Sequence, residues 1–262
     1  MADFDPAAFH RALSTHAVGR FMLFREVIDS TMVLARREAD EGAPHGTVVM
    51  AEEQTAGRGR KGRAFHSPRG ENLYLTMVLR YPPEVHKRLP VAVPLAVWRA
   101  VTANGVDAAI KWPNDIWANG RKLSGMLIDA ELSSAGGLAM VGIGINVNGD
   151  PTAIPELAEI ATSIRREVAR PVEREALLAA LCNELEAVIQ MPPLALVEEY
   201  RAASLVIGRD VMVTPVSGQP YLAVAEGVAE DGSLVVVDGA GRREWLNAAE
   251  VTLRPAGDAS RR

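Results

Sequence analysis

Two β-rich runs that flank a glycine-rich basic loop constrain the fold of this chain more than any other feature. The run TVVMAEEQ leads into the loop TAGRGRKGRAFHSP, and the run ENLYLTMVLR follows soon after it. The glycines at positions 57, 59 and 62 spell G-x-G-x-x-G, a pattern that binds dinucleotides only when a helix opens directly behind it. Pro68 and Gly70 stand there instead, and a strand follows. The sequence therefore excludes a dinucleotide-binding turn.

The same loop concentrates positive charge, since Arg58, Arg60, Lys61 and Arg63 fill the gaps between its glycines. The whole chain carries a net charge of -5, so it lacks the overall basic charge typical of a general nucleic-acid binder. Glycine permits close approach of a ligand to the backbone, and arginine grips phosphate with two N–H groups. We therefore predict that the loop binds a small phosphate-containing anion. A solvated basic connector is the alternative.

Strand-like and helix-like segments alternate irregularly along the first 206 residues. The segments FMLFREV, TVVMAEEQ, ENLYLTMVLR, AAIKW, KLSGMLIDAEL and AMVGIGINVN are predicted strands. Asn119-Gly120 predicts a hairpin turn between two of them. The segments DSTMVLARREADEG, VAVPLAVWRAVTANG, VEREALLAALCNELEAVIQM and LALVEEYRAAS are predicted helices.

The sequence changes in character after Gly208. Short β-type runs there are separated by tight turns at Ser217-Gly218, Asp231-Gly232 and 239–241. Several short strands within about 50 residues predict a small all-β barrel.

Composition and the N-terminal sequence exclude two other classes of protein. No apolar run approaches the roughly 18 to 20 residues that span a bilayer, and the first 20 residues lack the apolar core of a signal peptide. The single cysteine, Cys182, excludes an internal disulfide and lies in an apolar helical run, where we expect a buried structural thiol. We expect a cytoplasmic protein that does not enter a membrane.

The segment IKWPND is a second candidate for chemistry. Pro113 favours an extended Trp112, so Lys111 and Asn114 would project from the end of a strand. A lysine beside a glycine-arginine loop would stabilise negative charge that develops on an oxygen. The alternative is a surface lysine beside a half-buried tryptophan.

Two weaker signals accompany these segments. Ser30 and Thr31 open a predicted helix, where their hydroxyls either cap the helix or contact the polar head group of a ligand. Gly142 and Gly144 interrupt the apolar strand VGIGINVN, which indicates close approach by a ligand or another backbone.

Together these segments resemble the biotin protein ligases, also called biotin–[acetyl-CoA-carboxylase] ligases. The matching pieces occur in the family's order: DST, AEEQTAGRGRKGRAFHSPRGENLYLTMVLR, IKWPNDIWANGRKLSGMLIDAEL, VGIGINVN and ATSI. The most specific part is GRGRxGR followed by KWPND. The resemblance runs from about Phe21 to the end of the chain.

The resemblance implies an α+β fold with two folded units. The first is a catalytic domain of the biotin–lipoate ligase type, similar to class II aminoacyl-tRNA synthetases, in which helices flank a mixed or antiparallel sheet. The second is a small all-β barrel like that of Src-homology-3 domains. The implied domains are an N-terminal extension (1–20), the catalytic domain (21–206), the barrel (207–255) and a flexible tail (256–262).

The resemblance also implies the reaction and its partners. Biotin and ATP would form biotinyl-5′-AMP and pyrophosphate, and a lysine of a biotin carboxyl carrier protein domain would then take the biotin and release AMP. Magnesium is implied by ATP, but the sequence identifies no carboxylate cage, and phosphates and water can hold such a cation. The chain is expected to be a monomer or a homodimer.

Three overlapping sets of site residues follow from the resemblance. The catalytic residues are Lys111, Arg58 and Arg60. Biotin is expected to contact Ser30, Thr31, Met32, Gln54, Gly57, Arg58, Gly59, Arg60 and Lys111. The nucleotide is expected to contact Arg60, Arg63, Phe65, Asn114 and Asn146. No residue is assigned to a metal.

This chain departs from the family pattern in three ways. Met32 stands where asparagine is usual, so one polar contact to biotin is missing, and Phe65 replaces a common tryptophan. The roughly 20 residues before the catalytic region are too few for the DNA-binding domain of some members, so we expect no binding to operator DNA. The rival hypotheses are a ligase for lipoate or octanoate and a nucleic-acid-binding module.

Overall fold

The larger unit of the protein is built on one mixed β-sheet. The computed structural model describes residues 3–59, 62, 65–133, 136–247 and 249–253. The sheet contains seven strands, which are β1 (Met22–Ile28), β2 (Thr47–Gln54), β3 (Leu73–Tyr81), β4 (Ala108–Lys111), β5 (Asp115–Ala118), β6 (Arg121–Ser133) and β7 (Gly136–Ile145). Their order is β1-β2-β3-β7-β6-β5-β4, and only β1 and β2 pair in parallel. The predicted mixed sheet is confirmed.

Helices cover both faces of this sheet. They are α1 (Pro6–Ala12), α2 (Thr31–Asp40), α3 (Pro83–His86), α4 (Leu89–Thr102), α5 (Ile164–Val168), α6 (Arg174–Ile189) and α7 (Pro193–Ala203), with a 3-10 turn at Pro151–Ala153. Helices α4 and α6 pack in the main core with alternate residues of the strands, among them Met50 and Leu75. Helix α2 packs on the opposite face against Val49, Val78 and Met140. The alternation of side chains along each strand therefore separates two apolar layers.

Helix α6 buries one apolar stripe along its length. Leu177, Leu181, Leu185 and Val188 of α6 are all buried in the main core. Cys182 lies between them, and burial raises the pKa of its thiol, so it is a structural residue as expected.

The residues that precede β1 contribute to the same core. Phe4 and Phe9 are buried in it, and α1 lies against α6. A buried ion pair fastens this segment, because both carboxylate oxygens of Glu52 bind Arg174 and Oε1 also accepts a hydrogen bond from the Phe4 N–H.

The second unit is a five-stranded antiparallel sheet. Its strands are β8 (Asp210–Pro215), β9 (Tyr221–Val228), β10 (Leu234–Asp238), β11 (Arg243–Leu246) and β12 (Ala249–Leu253), in the order β11-β10-β9-β8-β12. Leu246 and Val251 come from the two edge strands yet share one apolar core, so the sheet curls around that core. The predicted small β-unit is confirmed. The expected tail at 256–262 lies outside the described residues.

A tryptophan from the larger unit joins the two units of the protein. Trp112 is 3% exposed and belongs to the core of the second sheet, where its Nε1–H donates to the Gly232 carbonyl at 2.8 Å. The alternative interpretation of IKWPND, which included a half-buried tryptophan, is therefore wrong about Trp112. The Trp112–Pro113 peptide bond is cis. In the described part of the chain, every helix is too short or too polar to cross a bilayer.

Candidate active site

A cavity of about 510 Å³ opens on the α2 side of the seven-stranded sheet. Its wall includes ten of the residues that the sequence predicts for the site, which are Ser30, Thr31, Met32, Gln54, Arg58, Gly59, Phe65, Lys111, Asn114 and Asn146. These residues come from four separate sequence segments, and the fold brings them to one place. Gly57 does not line the cavity, and Arg60 and Arg63 lie outside the described residues.

A row of paired residues crosses five strands beneath the cavity, and all of them except Tyr74 line its floor. Tyr74 pairs with Gly144, Gly144 with Gly125, Gly125 with Asp115, and Asp115 with Lys111. Directly paired residues project from the same face of a sheet, and neighbouring strands lie about 4.8 Å apart. The row therefore runs under the cavity from the middle of the sheet to its β4 edge.

Three glycines of the floor let other side chains lie against the sheet. A Cβ at Gly144 would overlap the Phe65 ring, and a Cβ at Gly142 would lie 2.8 Å from the Met32 sulfur. A Cβ at Gly125 would lie 2.8 Å from the Lys122 Nζ. The sequence correctly marked Gly142 and Gly144 as places of close approach. The approaching groups, however, are side chains of this chain that form the cavity wall.

One end of the cavity carries a connected set of polar groups. Gln54 Oε1 accepts hydrogen bonds from the Thr31 N–H at 2.9 Å and the Thr31 hydroxyl at 3.1 Å, and Gln54 Nε2 donates to Ser67 Oγ at 3.2 Å. The Thr76 hydroxyl donates to Thr31 Oγ1 at 2.9 Å. Gln54 therefore fixes Thr31, and one N–H of its amide remains for a ligand.

Ser30 belongs to this polar end as well. It occupies the N-cap position of α2, but its hydroxyl makes no capping hydrogen bond to the helix. The side chain is only 5% exposed and lines the cavity. A plain helix cap therefore does not account for this serine.

Gly57 lies behind this polar end. Its carbonyl accepts the Phe65 N–H at 3.0 Å, and a Cβ there would be 2.9 Å from Ser67 Oγ and 3.1 Å from Gln54 Nε2. The residue closes the base of the basic loop, so its glycine is explained by packing within the protein.

Three cations also line the cavity. Lys122 Nζ forms an ion pair of 2.7 Å with Asp115 Oδ1, and Lys111 Nζ lies 3.8 Å from the centre of the Trp117 ring. Arg58 adds an exposed guanidinium at the cavity wall. Of the described lining residues, Asp115 alone carries a carboxylate, so the cavity has an excess of positive charge.

Lys122 is the main residue that the sequence analysis missed. It lies in the segment RKLSG, directly after the predicted Asn119-Gly120 turn. Its pattern signals only a strand residue after a hairpin, and the pairing of β5 with β6 brings it to Asp115.

The other end of the cavity has an aromatic face. Phe65 lies edge-on to Tyr74, with ring centres 6.2 Å apart and an angle of 77° between the rings. The Asn146 amide donates to the Thr162 carbonyl at 3.0 Å, and the Asn114 amide donates to the Met126 carbonyl at 2.6 Å. Both asparagines therefore hold neighbouring segments of the wall in place.

Two segments that sequence reasoning did not assign complete the wall. Leu157, Ile160 and Ala161 come from the stretch before α5, and Val251 comes from β12 of the second sheet. The isolated bridge between Lys122 and Ala161 ties the first of these to the floor. A loop without regular structure has no periodic pattern from which its place in the cavity wall could be predicted.

The described residues contain no group of three or more histidine, cysteine, aspartate or glutamate side chains placed to hold a metal. Among the lining residues that the structure describes, the one carboxylate, Asp115, is paired with Lys122.

A seven-stranded mixed sheet with a cation-rich cavity and an aromatic face agrees with the ligase class that the sequence resemblance implies. The model of the biotin/lipoate A/B protein ligase family matches residues 24–148. The chain belongs to this family.

Relatives and a solved structure agree with that assignment. The biotin–[acetyl-CoA-carboxylase] ligase of Mycobacterium tuberculosis is 34% identical over 230 residues, covering 83% of this chain and 83% of that protein. The enzyme of the same name from Paracoccus denitrificans is 33% identical over 237 residues, covering 85% of this chain and 96% of that protein. The structure of a biotin protein ligase from Aquifex aeolicus in complex with biotin and ATP superposes with a TM-score of 0.73 at 26% identity, covering 90% of this chain and 99% of that one.

Proposed function

We propose that this protein joins biotin to ATP to form biotinyl-5′-AMP and then transfers the biotin to a lysine of a biotin carboxyl carrier protein domain. Its family membership makes it an enzyme of the biotin–protein ligase type. The two half-reactions and the carrier partner are our proposal.

The observation that carries this proposal is the meeting of three cations in one cavity. Arg58, Lys111 and Lys122 all line it, whereas the described lining residues offer one carboxylate, Asp115. A carboxylate and a triphosphate repel each other, and both must be brought together for adenylation. Positive charge between them lowers this repulsion, and a charge pair 4 Å apart contributes roughly 4 kcal/mol near a protein surface.

The two ends of the cavity suit the two substrates. Ser30, Thr31 and Gln54 offer fixed polar groups for the ureido ring, while Met32 packs against the floor and offers an apolar contact. Phe65 offers a flat face for adenine. We propose that the biotin carboxylate and the α-phosphate meet between these ends, at the cations.

In the first half-reaction, a carboxylate oxygen of biotin attacks the α-phosphorus of ATP. The bond from this phosphorus to the β-phosphate bridging oxygen breaks, and pyrophosphate leaves. Lys111, Lys122 and Arg58 stabilise the charge on the phosphate oxygens in the transition state. In the second half-reaction, the neutral amine of the carrier lysine attacks the acyl carbon, the carbon–oxygen bond to phosphate breaks, and AMP leaves.

Magnesium enters this proposal as a partner of ATP. The described residues offer no carboxylate cage, so phosphate oxygens and water would supply most of its ligands. When bound, it would neutralise part of the triphosphate charge.

We further propose that the N-terminal segment supports catalysis instead of binding operator DNA. Within residues 3–20, the structure forms α1, and the buried side chains of Phe4 and Phe9 pack into the main core. Side chains committed to this core are not available to read bases.

The test of the proposal is a defined transfer reaction. The purified chain, ATP, magnesium, biotin and a biotin carboxyl carrier domain are incubated together, and intact mass spectrometry is expected to show one biotinyl adduct on the carrier. A carrier variant whose acceptor lysine is arginine serves as the control and should remain unmodified. A parallel reaction with lipoate distinguishes the rival acyl ligase.

Two outcomes contradict the proposal. An adduct that forms with lipoate but not with biotin assigns the chain to the other branch of its family. Pyrophosphate release that does not depend on biotin shows that the cavity does not activate this acid.

A further inference from the structure

A buried tyrosine next to the cavity connects the two segments that carry its nucleotide end. Tyr74 of β3 is 1% exposed, and its hydroxyl donates to the Pro68 carbonyl at 3.1 Å and accepts from Asn72 Nδ2 at 2.9 Å. Burial raises the pKa of this hydroxyl, so it stays protonated and keeps its donor role. The hydroxyl therefore fixes the chain three residues after Phe65.

Asn72 extends this connection to the loop after β7. Its Oδ1 accepts the N–H groups of Val147 at 2.8 Å and Gly149 at 3.2 Å. Val147 directly follows Asn146, which lines the cavity, and Gly149 lies two residues further along. One asparagine side chain and one tyrosine hydroxyl thus tie the segment of Phe65 to the segment of Asn146.

The ring of Tyr74 acts on Phe65 directly. Phe65 rests on Gly144, which pairs with Tyr74 across β3 and β7, and the two rings meet edge-to-face. Phe65 is therefore held from below by the floor and from the side by Tyr74. Tyr74 itself does not line the cavity.

We propose that Tyr74 is a positioning residue for the nucleotide: through Phe65 and Pro68, it sets the aromatic face on which the adenine rests. This inference rests on the proposed function, since it places the adenine at Phe65. It predicts a larger loss of nucleotide binding than of biotin binding, because the Tyr74 ring contacts Phe65 directly, whereas its hydroxyl reaches Gln54 through Pro68 and Ser67.

The test compares Tyr74→Phe with Tyr200→Phe. Tyr200 of α7 is equally buried at 1% exposure, and within the described structure its hydroxyl has no hydrogen-bond partner, so its removal controls for the loss of a buried hydroxyl. Calorimetry is expected to show that Tyr74→Phe weakens ATP binding about tenfold, a typical effect of leaving buried partners unpaired. Biotin affinity should change less than twofold, and Tyr200→Phe should change neither.

A double-mutant cycle shows whether the effect passes through Phe65. In a Phe65→Leu background, Tyr74→Phe should weaken ATP binding less than about twofold, because residues that act together are not additive. If Tyr74→Phe melts below the assay temperature, Asn72→Asp replaces it. That change gives the Tyr74 hydroxyl a carboxylate acceptor in place of Pro68 and should also weaken ATP binding selectively.

The outcomes separate this inference from the proposed function. Unchanged ATP affinity in Tyr74→Phe, or an equal loss for biotin, overturns the inference even when the wild type is an active ligase. A selective loss of ATP binding supports it even when biotin-dependent pyrophosphate release is absent, a result that would overturn the function. A wild-type chain that does not bind ATP overturns both.

Discussion

At the scale of single residues, the two lysines of the cavity are held in different ways. Lys122 is paired with Asp115 at 2.7 Å, whereas Lys111 lies over the face of Trp117. The first arrangement fixes the ammonium group with a hydrogen bond, and the second leaves it beside a polarisable ring. Both contacts orient a cation toward incoming anions without removing its charge.

We predict that Lys122→Ala and Lys111→Ala each lower the rate of biotin adenylation by about 10²-fold or more, as expected when one stabilising donor is removed from a reaction site. Biotin-dependent pyrophosphate release, measured at saturating substrates, checks this. Lys87→Ala removes an exposed lysine outside the cavity lining and is the matched control. An unchanged rate in either cavity variant removes that lysine from the mechanism.

The sequence predicted ten of the residues that line the cavity but not their mutual arrangement. Lys111 and Asn114 are predicted because Pro113 places them at the end of a strand, and Ser30 because it opens a helix. Lys122 was missed because its role depends on strand pairing with Asp115, which a linear pattern does not contain. The deep burial of Trp112 could not be predicted locally, because its partner Gly232 lies 120 residues further along the chain.

At the scale of elements, β7 shows how a strand is shaped to hold a cavity. Its residues alternate between the two faces, and on the cavity side Gly142 and Gly144 stand next to each other. Residues two apart along a strand are separated by about 7 Å, so Met32 and Phe65 rest on the strand side by side. The strand thereby holds these two side chains in neighbouring positions in the cavity wall.

We predict different effects for alanine at these two glycines. Gly144→Ala should raise the KM for ATP about tenfold, because a Cβ there overlaps a rigid ring that has to move. Gly142→Ala should change the KM for biotin by a smaller factor, because the contacting Met32 sulfur belongs to a flexible side chain. Steady-state kinetics with each substrate varied in turn measures both.

Gly239→Ala is the control for these variants, since a Cβ there meets nothing within 4 Å. Equal effects of the two cavity variants on both substrates would contradict the assignment of separate ends.

Element prediction worked where the local pattern decides the structure. Asn119-Gly120 forms the turn between β5 and β6, with φ angles of 49° and 74° that suit these two residues. The stripe on α6 is likewise buried as its spacing indicates. The strand order could not be predicted in this way, because the position of β7 between β3 and β6 follows from contacts between distant segments.

At the scale of the whole molecule, Trp112 binds the second sheet to the site. Its side chain is part of the core of that sheet, while its neighbours in sequence, Lys111 and Asn114, line the cavity. Val251 from β12 adds a piece of the cavity wall. Movement of the small sheet would therefore shift residues of the cavity wall.

We predict that Trp112→Phe destabilises the second sheet by about 1–3 kcal/mol, because the Gly232 carbonyl loses its donor and the core loses volume. Hydrogen exchange should accelerate in β8 to β12 more than in β3 and β7, and adenylation should slow. Trp245→Phe changes a tryptophan that is 57% exposed and should leave both properties unchanged. Exchange that accelerates uniformly over both units would show that Trp112 does not act as this link.

The position of Val251 also has a consequence for protein synthesis. The segments from Ser30 to Ala161 emerge from the ribosome before β12. They supply all of the described cavity wall except Val251. A nascent polypeptide at that stage has an unfinished pocket, open on the side that β12 later occupies. The wall formed by the described residues is therefore complete only after β12 has been synthesised and has docked.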